Sequence, residues 1–230
     1  MAKRVVLFVL GGVLLVIGVL AAIGGGALLA YFGSNNTLSS GVNQVSTPTR
    51  ALVSEAGSIQ GASGAQTVFG NVRLRITATP TGAGHLLFLG IGPASAVDRY
   101  LSGVSHDVAT DVSVTPFHLT LAHQAGTATP PPPESESFWV AKASGNNPTL
   151  TWTVTNGSYR VVVMNTDAAA PVAFSGALDL TVPHSFAIGL GLLIGGIVLI
   201  LIAIVLIVLG ARARPRPPSP SGPDQATAAA

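Results

Sequence analysis

Two uncharged apolar runs stand near the ends of this chain, Val5 to Gly33 and Phe186 to Gly210. Each exceeds the roughly 20 residues that an α-helix needs to cross the hydrocarbon of a bilayer. This pattern leaves few options for the fold. In lipid each run must satisfy its own backbone polar groups, which a helix does. The residues between the runs must then bury a core of their own. The fold class expected is two transmembrane α-helices flanking a mainly-β extracytoplasmic domain.

Charge sets the orientation. Lys3 and Arg4 precede the first run, and Arg212, Arg214 and Arg216 follow the second. Basic residues beside a span stay on the cytoplasmic side. Both ends obey this together, so both termini are expected to be cytoplasmic and residues 34–184 to be outside. The first run resembles a signal peptide in its charged start. Its apolar stretch outruns the usual h-region of about 7–15 residues, and no clear A-x-A site follows, so an uncleaved helix is expected. No charged residue interrupts either run, which argues against an ion pathway or proton relay within the membrane.

Between the runs, six Lys/Arg stand against eight Asp/Glu, leaving −2. That balance carries no basic stripe and excludes nucleic acid as a partner. Cysteine is absent, so the middle is held by its core without disulfides and offers no thiol chemistry. The organisation expected is a cytoplasmic N-terminus (1–4), a first transmembrane helix (5–33) and a flexible polar spacer (34–50). An extracytoplasmic β-sandwich (51–184), a second transmembrane helix (185–210) and a disordered, Pro-rich cytoplasmic tail (211–230) follow. Ser185 is placed to cap the second helix, so the domain is expected to hang rigidly from that helix and loosely from the first.

The middle reads as β. Val72-Arg-Leu-Arg-Ile-Thr-Ala-Thr79 and Leu150-Thr-Trp-Thr-Val-Thr155 alternate apolar and polar residues, the period of a half-buried strand. His85 to Ile91 is a short apolar run. Asn156-Gly157 separates two strand-like segments, the strongest local hairpin signal. Further strands are expected near 111–116, 117–123, 137–143 and 172–182. About eight short strands with frequent turns point to an antiparallel β-sandwich, jelly-roll or immunoglobulin-like. Ser95-Ala-Val-Asp98 reads as a capping box opening a short helix through Tyr100 and Leu101. Pro130–Pro133 with Glu134 and Glu136 reads as a stiff exposed loop.

Several residues invite a functional reading. Gly18, Ala22 and Gly26 lie four apart in the first run, and Gly191 and Gly195 form a G-x-x-x-G in the second. Small residues on one face let helix backbones approach, so these five are expected to pack the two helices together, with homo-oligomerisation as the other use of the same faces. Gly90-Ile-Gly92-Pro-Ala-Ser95 has part of a phosphate-binding glycine loop but lacks its third glycine and a βαβ setting; a strand-to-helix turn is expected. Phe138, Trp139, Trp152 and Tyr159 would suit a sugar-stacking platform, but alternation places Trp152 inward with Leu150 and Val154.

His106, Asp107 and Asp111 form the one tempting cluster, since imidazole and carboxylate serve as metal ligands and as acid–base groups. Val108, Thr110 and Val112 favour extended backbone there. In a strand, Asp107 and Asp111 would stand roughly 13 Å apart, too far to share one ion. No catalytic residue, metal or cofactor is therefore expected. His85, His118, His123 and His184 are scattered.

Phe88-Leu-Gly-Ile-Gly-Pro93, Tyr100-Leu101, His106-Asp107, Phe138-Trp139 and Val162-Val-Met-Asn-Thr-Asp167, followed by a glycine-rich span, resemble a group of two-pass membrane proteins of actinobacteria. The likeness runs over about residues 70–210. It implies a membrane-held architecture and assigns no residue a role.

Together these readings lead to a non-enzymatic cell-envelope protein, held in the lipid bilayer, that presents an exterior β-sandwich for binding or scaffolding. Its partners would be other membrane or envelope proteins. One rival is an envelope enzyme or metal-dependent binder built on His106, Asp107 and Asp111. Another is an accessory subunit of a larger membrane complex.

Overall fold

A computed structural model describes residues 2–82, 85–114 and 117–212. The expected disordered tail lies, from residue 213 on, outside the described residues, as do residues 115–116 between two of the strands. The chain opens with helix α1 (Ala2–Phe32), followed by strands β1 (Thr37–Ser39), β2 (Asn43–Thr47), β3 (Ala51–Ser54) and β4 (Gly57–Ile59). Helix α2 (Ala62–Phe69), strands β5 (Arg73–Pro80) and β6 (Leu87–Pro93), and helix α3 (Ala94–Tyr100) come next. Strands β7 (His106–Val114), β8 (Phe117–Gln124), β9 (Ala141–Gly145), β10 (Thr149–Thr153), β11 (Gly157–Asn165) and β12 (Val172–Thr181) lead to helix α4 (Ser185–Arg212). Two compact units result: a helical one, with residues up to 27 and from 189, and a β unit of residues 28–188.

In the helical unit both helices are long and apolar enough to cross a membrane. They lie antiparallel. The buried residues of this unit are spaced seven apart: Gly11, Gly18 and Gly25 on α1, and Gly189, Gly196, Ala203 and Gly210 on α4. A Cβ on Gly18 would stand 2.8 Å from Gly196 O, one on Gly25 2.5 Å from Gly189 O, and one on Gly196 2.6 Å from the backbone N of Ala22. Only glycine admits this approach. Gly18 and Ala22 therefore lie in the contact, whereas Gly26, Gly191 and Gly195 have open space where a Cβ would go. The expected four-residue spacing is replaced by a seven-residue one, which returns to the same face every two turns. Gly191 is two residues past Gly189, about 200° round the helix, and so faces away.

The β unit is a sandwich. One sheet runs β1-β12-β5-β10, with β2 also on β12; the other runs β8-β7-β3-β11-β6-β9, with β4 also on β11. Among the described residues every pairing between strands is antiparallel except β3 with β7. Leu52, Leu87, Leu89, Ile91 and Val163 from the larger sheet pack on Ile76, Leu150, Trp152, Val172 and Phe174 from the smaller. Each such side chain, once fully buried, contributes about 1.5–3 kcal/mol. A second cluster lies on the far face of the larger sheet, where α3 and Trp139 cover Val53, Phe88, Val162 and Met164. Gly90 and Gly92 belong to this packing. A Cβ on Gly90 would enter the Trp139 ring at 2.7 Å, and one on Gly92 would meet Phe138 at 3.1 Å. These glycines make room for aromatic rings.

Several local expectations change. Residues 37–39 and 43–47, read as flexible spacer, are strands on β12, so the segment after α1 is part of the smaller sheet. Asn156-Gly157 does not close a hairpin. β10 pairs with β5 in one sheet and β11 with β3, β4 and β6 in the other, so the turn is a crossover between sheets. Its Asn156 accepts the Ala62 N–H at the start of α2. Helix α3 forms without a capping box: Pro93 precedes it, no side chain caps it, and Asp98 pairs with Arg160. The Pro-rich loop is docked, with Pro130 and Pro133 buried. Trp139 Nε1 donates to Pro133 O at 2.8 Å and the Tyr100 hydroxyl to Pro131 O at 2.7 Å.

Candidate functional site

The sandwich has an open seam along one side. There β2, outermost on its face of the smaller sheet, lies across from β7 and from the edge strand β8 of the larger. The two ends of this seam are closed by different chemistry.

At one end the closure is polar. Thr47, the last residue of β2, donates its hydroxyl to Asp107 near the start of β7. The Asp107 side chain is 8% exposed, and its other oxygen lies 2.8 Å from His123 Nδ1 on β8. With Asp107 ionised, Nδ1 must carry the proton, because a carboxylate only accepts. Thr49 extends the chain, 2.8 Å from the Thr47 hydroxyl and donating to Ala51 O. Both threonine protons are thus spent on fixed acceptors, and neither hydroxyl is presented to an imidazole as a nucleophile would be. The cluster clasps the two sheets together.

At the other end no described residue closes the seam. Val45, Val112, Phe117, Phe174 and Leu178 line an apolar cleft of about 140 Å³, with Ile76, Val161 and Val163 of the core at its floor. Ser40, Asn43 and Thr77 supply the polar side chains of its lining. Val112 remains 52% exposed and Leu178 37%. A β-bulge between Ala109 and Asp111 makes this possible. Side chains alternate along a strand, so an unbroken β7 would send Asp111 inward after Asp107 and Ala109. The extra residue reverses the phase: Val112 lines the cleft and Asp111 is exposed.

The residues singled out in the sequence are therefore dispersed. His106, Asp107 and Asp111 share β7 but do not converge. His106 lies on the opposite face from Asp107, its Nδ1 2.8 Å from Val104 O. It borders a shallow polar groove of about 540 Å³ with Glu55, Thr110, Gln124 and Arg160. Arg160 is already engaged, donating to Ser54 O at 2.7 Å and lying 2.7 Å from Asp98. Among the described residues, no three His, Cys, Asp or Glu side chains are placed to hold a metal. Trp139 and Trp152 are both 9% exposed and belong to different clusters, so no aromatic platform forms from them. Burial, aided by the nearby Glu136 carboxylate, pushes the Tyr100 phenol well above its usual range.

Thr47, Thr49 and His123 were not visible as partners of Asp107. Thr47 stands 60 residues from it in the chain, and nothing local marks the pairing. Neither a protein-family model nor a curated protein sequence matches this chain.

Proposed function

We propose that this is a non-enzymatic cell-envelope protein whose two terminal helices cross the membrane, with both termini cytoplasmic, and whose exterior β-sandwich binds a partner. One observation carries the reading: core residues stand open to solvent in a built cleft at the seam. Asp107, the buried member of the cluster suited to catalysis, is instead spent on structural contacts. An exposed apolar opening in an otherwise closed sandwich has a cost in water, and such openings mark sites of binding.

The orientation follows from the basic residues that flank both helices. Labelling a Ser144→Cys variant in intact cells with an impermeant maleimide tests it. Labelling supports an exterior sandwich, and a block that lifts only on lysis refutes it. A photo-crosslinking amino acid at Leu178 tests the cleft. The expected result is a discrete adduct in native membranes that is absent with the same group at Val140, exposed but distant from the seam. No adduct, or equal adducts at both positions, would refute a binding role for the cleft.

A further inference from the structure

We infer that the partner is an extended polypeptide segment that adds as a strand to the free edge of β8 and drops one apolar side chain into the cleft. This rests on the reading of the cleft as a binding site and assigns its ligand class.

The first argument is size. A cavity of about 140 Å³ is close to the engineered apolar cavity of roughly 150 Å³ that takes one benzene. It suits a single aromatic or branched aliphatic side chain. It falls short of the roughly 300–1,000 Å³ that a whole small-molecule ligand occupies, so a lipid or glycan would not be contained.

The second argument is the edge beside it. Among the described residues β8 is hydrogen-bonded on one side only, to β7. In an antiparallel ladder alternate residues turn their N–H and C=O groups away from the partner strand, so β8 presents an unused row of donors and acceptors. Natural edges are blunted by shortness, lysine, proline, inward charge or a β-bulge, and the bulge of this pair lies in β7, the inner strand. The other edges follow this rule. β1, β2 and β10 have three, five and five residues, and β9 carries Lys142. β8 runs for eight residues, Phe-His-Leu-Thr-Leu-Ala-His-Gln, with no proline, lysine, arginine or carboxylate. Among the described residues it is the one long uncharged edge.

The third argument is that edge and cleft are continuous. Phe117 is both the first residue of β8 and a wall of the cleft. A strand added about 4.8 Å from β8 passes the mouth, and its period of two sends alternate side chains inward. Backbone pairing would supply affinity and the single apolar anchor would supply specificity, the division found in strand-addition recognition.

The test uses the full chain in lipid nanodiscs and a displayed library of random linear decapeptides selected on the parent alone, each enriched peptide then being assayed on a Val112→Glu variant. Amide exchange of β11 confirms that the variant is folded. Expected are peptides with alternating apolar residues, weakened about tenfold or more by Val112→Glu. One such peptide, synthesised, should slow exchange at alternate amides of residues 117–124 by about tenfold and leave the intervening ones unchanged. A peptide that depends on Val112 but leaves β8 exchange unaltered overturns strand addition and keeps the cleft as a site. Failure to enrich any peptide, with crosslinking at Leu178 retained, also overturns strand addition alone. Binding indifferent to Val112→Glu overturns both readings. Protection of β8 that grows with protein concentration without peptide would assign the edge to a second copy and refute a separate partner.

Discussion

Asn36 Oδ1 accepts the backbone N–H of Phe186 at 2.8 Å, so a residue of the turn after the first helix caps the second. The same oxygen accepts the Ser185 hydroxyl at 3.1 Å, and Asn36 O accepts the Val182 N–H. Ser185 was expected to cap its own helix; it is fully buried and donates to the cap instead. Asn36 holds a positive φ of 55°, a conformation asparagine tolerates better than most residues. Asn36→Gly should keep the backbone and lose the acceptor, destabilising the β unit by about 1–3 kcal/mol. Asn36→Ala should lose about 1–2 kcal/mol more, the cost of an alanine in the left-handed region. Thermal unfolding that ranks the alanine variant at or above the glycine variant would contradict this account of the junction.

The seven-residue stripe predicts which glycines the helices need. Gly196→Leu would push a side chain into the Ala22 and Gly18 backbones, both 2.6 Å from its Cβ position. No flexible side chain can yield there, and overpacking of this kind costs about 1–3 kcal/mol. Gly191→Leu meets nothing within 4 Å and should stay within about 0.5 kcal/mol of the parent. Steric trapping or detergent denaturation of the full chain measures both. A larger loss for Gly191→Leu than for Gly196→Leu would mean that the G-x-x-x-G face, and not the Gly189-Gly196 face, carries the contact.

The sequence revealed class better than detail, for identifiable reasons. Hydropathy marks the two helices because lipid demands a long uncharged run. Period-two alternation marks β5 and β10 because each has one face on the core. β1 and β2 were hidden. Thr37–Ser39 and Asn43–Thr47 are polar edge segments that become strands only because β12, about 130 residues later, offers them a ladder. The glycine face was misjudged because four-residue and seven-residue spacings both occur in these glycine-rich helices, and only the partner helix selects between them. The seam was hidden for a third reason. It depends on one bulge residue in β7, and bulges leave no periodic signal.

Tyr100 links α3 to the Pro-rich loop through its hydroxyl. Tyr100→Phe should cost about 0.5–1.5 kcal/mol at neutral pH, the net worth of one hydrogen bond. The phenol's pKa is raised in the folded state by burial, with Glu136 adding to it. Below about pH 10, the ordinary tyrosine value, both states hold the proton and this group adds no pH dependence. Above that, the unfolded chain releases the proton first, so the folded state loses stability as pH rises. The parent should therefore weaken faster than Tyr100→Phe between neutral and strongly alkaline pH. An ultraviolet titration in which all three tyrosines ionise together near pH 10 would refute a protected Tyr100.

Asp107 gives the sharpest separation between a clasp and a reactive centre. Its carboxylate is buried and holds Thr47 from the opposite sheet and His123 from the neighbouring strand. Asp107→Ala would remove the charged acceptor of the buried Thr47 hydroxyl, 1% exposed at residue level, and leave it only the neutral Thr49 Oγ1 at 2.8 Å. That should destabilise the β unit by about 1–3 kcal/mol. Asp107→Asn keeps an oxygen for Thr47 and puts an amide toward His123, whose neutral ring can accept at Nδ1 in its other tautomer. The asparagine variant should therefore recover most of the loss. Thr47→Val should imitate the alanine variant, and the Asp107→Ala/Thr47→Val double variant should lose less than the sum of the two, since both delete one contact. The peptide binding expected at the cleft should survive in Asp107→Asn. Strict additivity of the two changes would show that Thr47 and Asp107 do not act as a pair. A stoichiometric metal in the purified parent, lost in Asp107→Asn, would show that Asp107 serves an ion and not the seam.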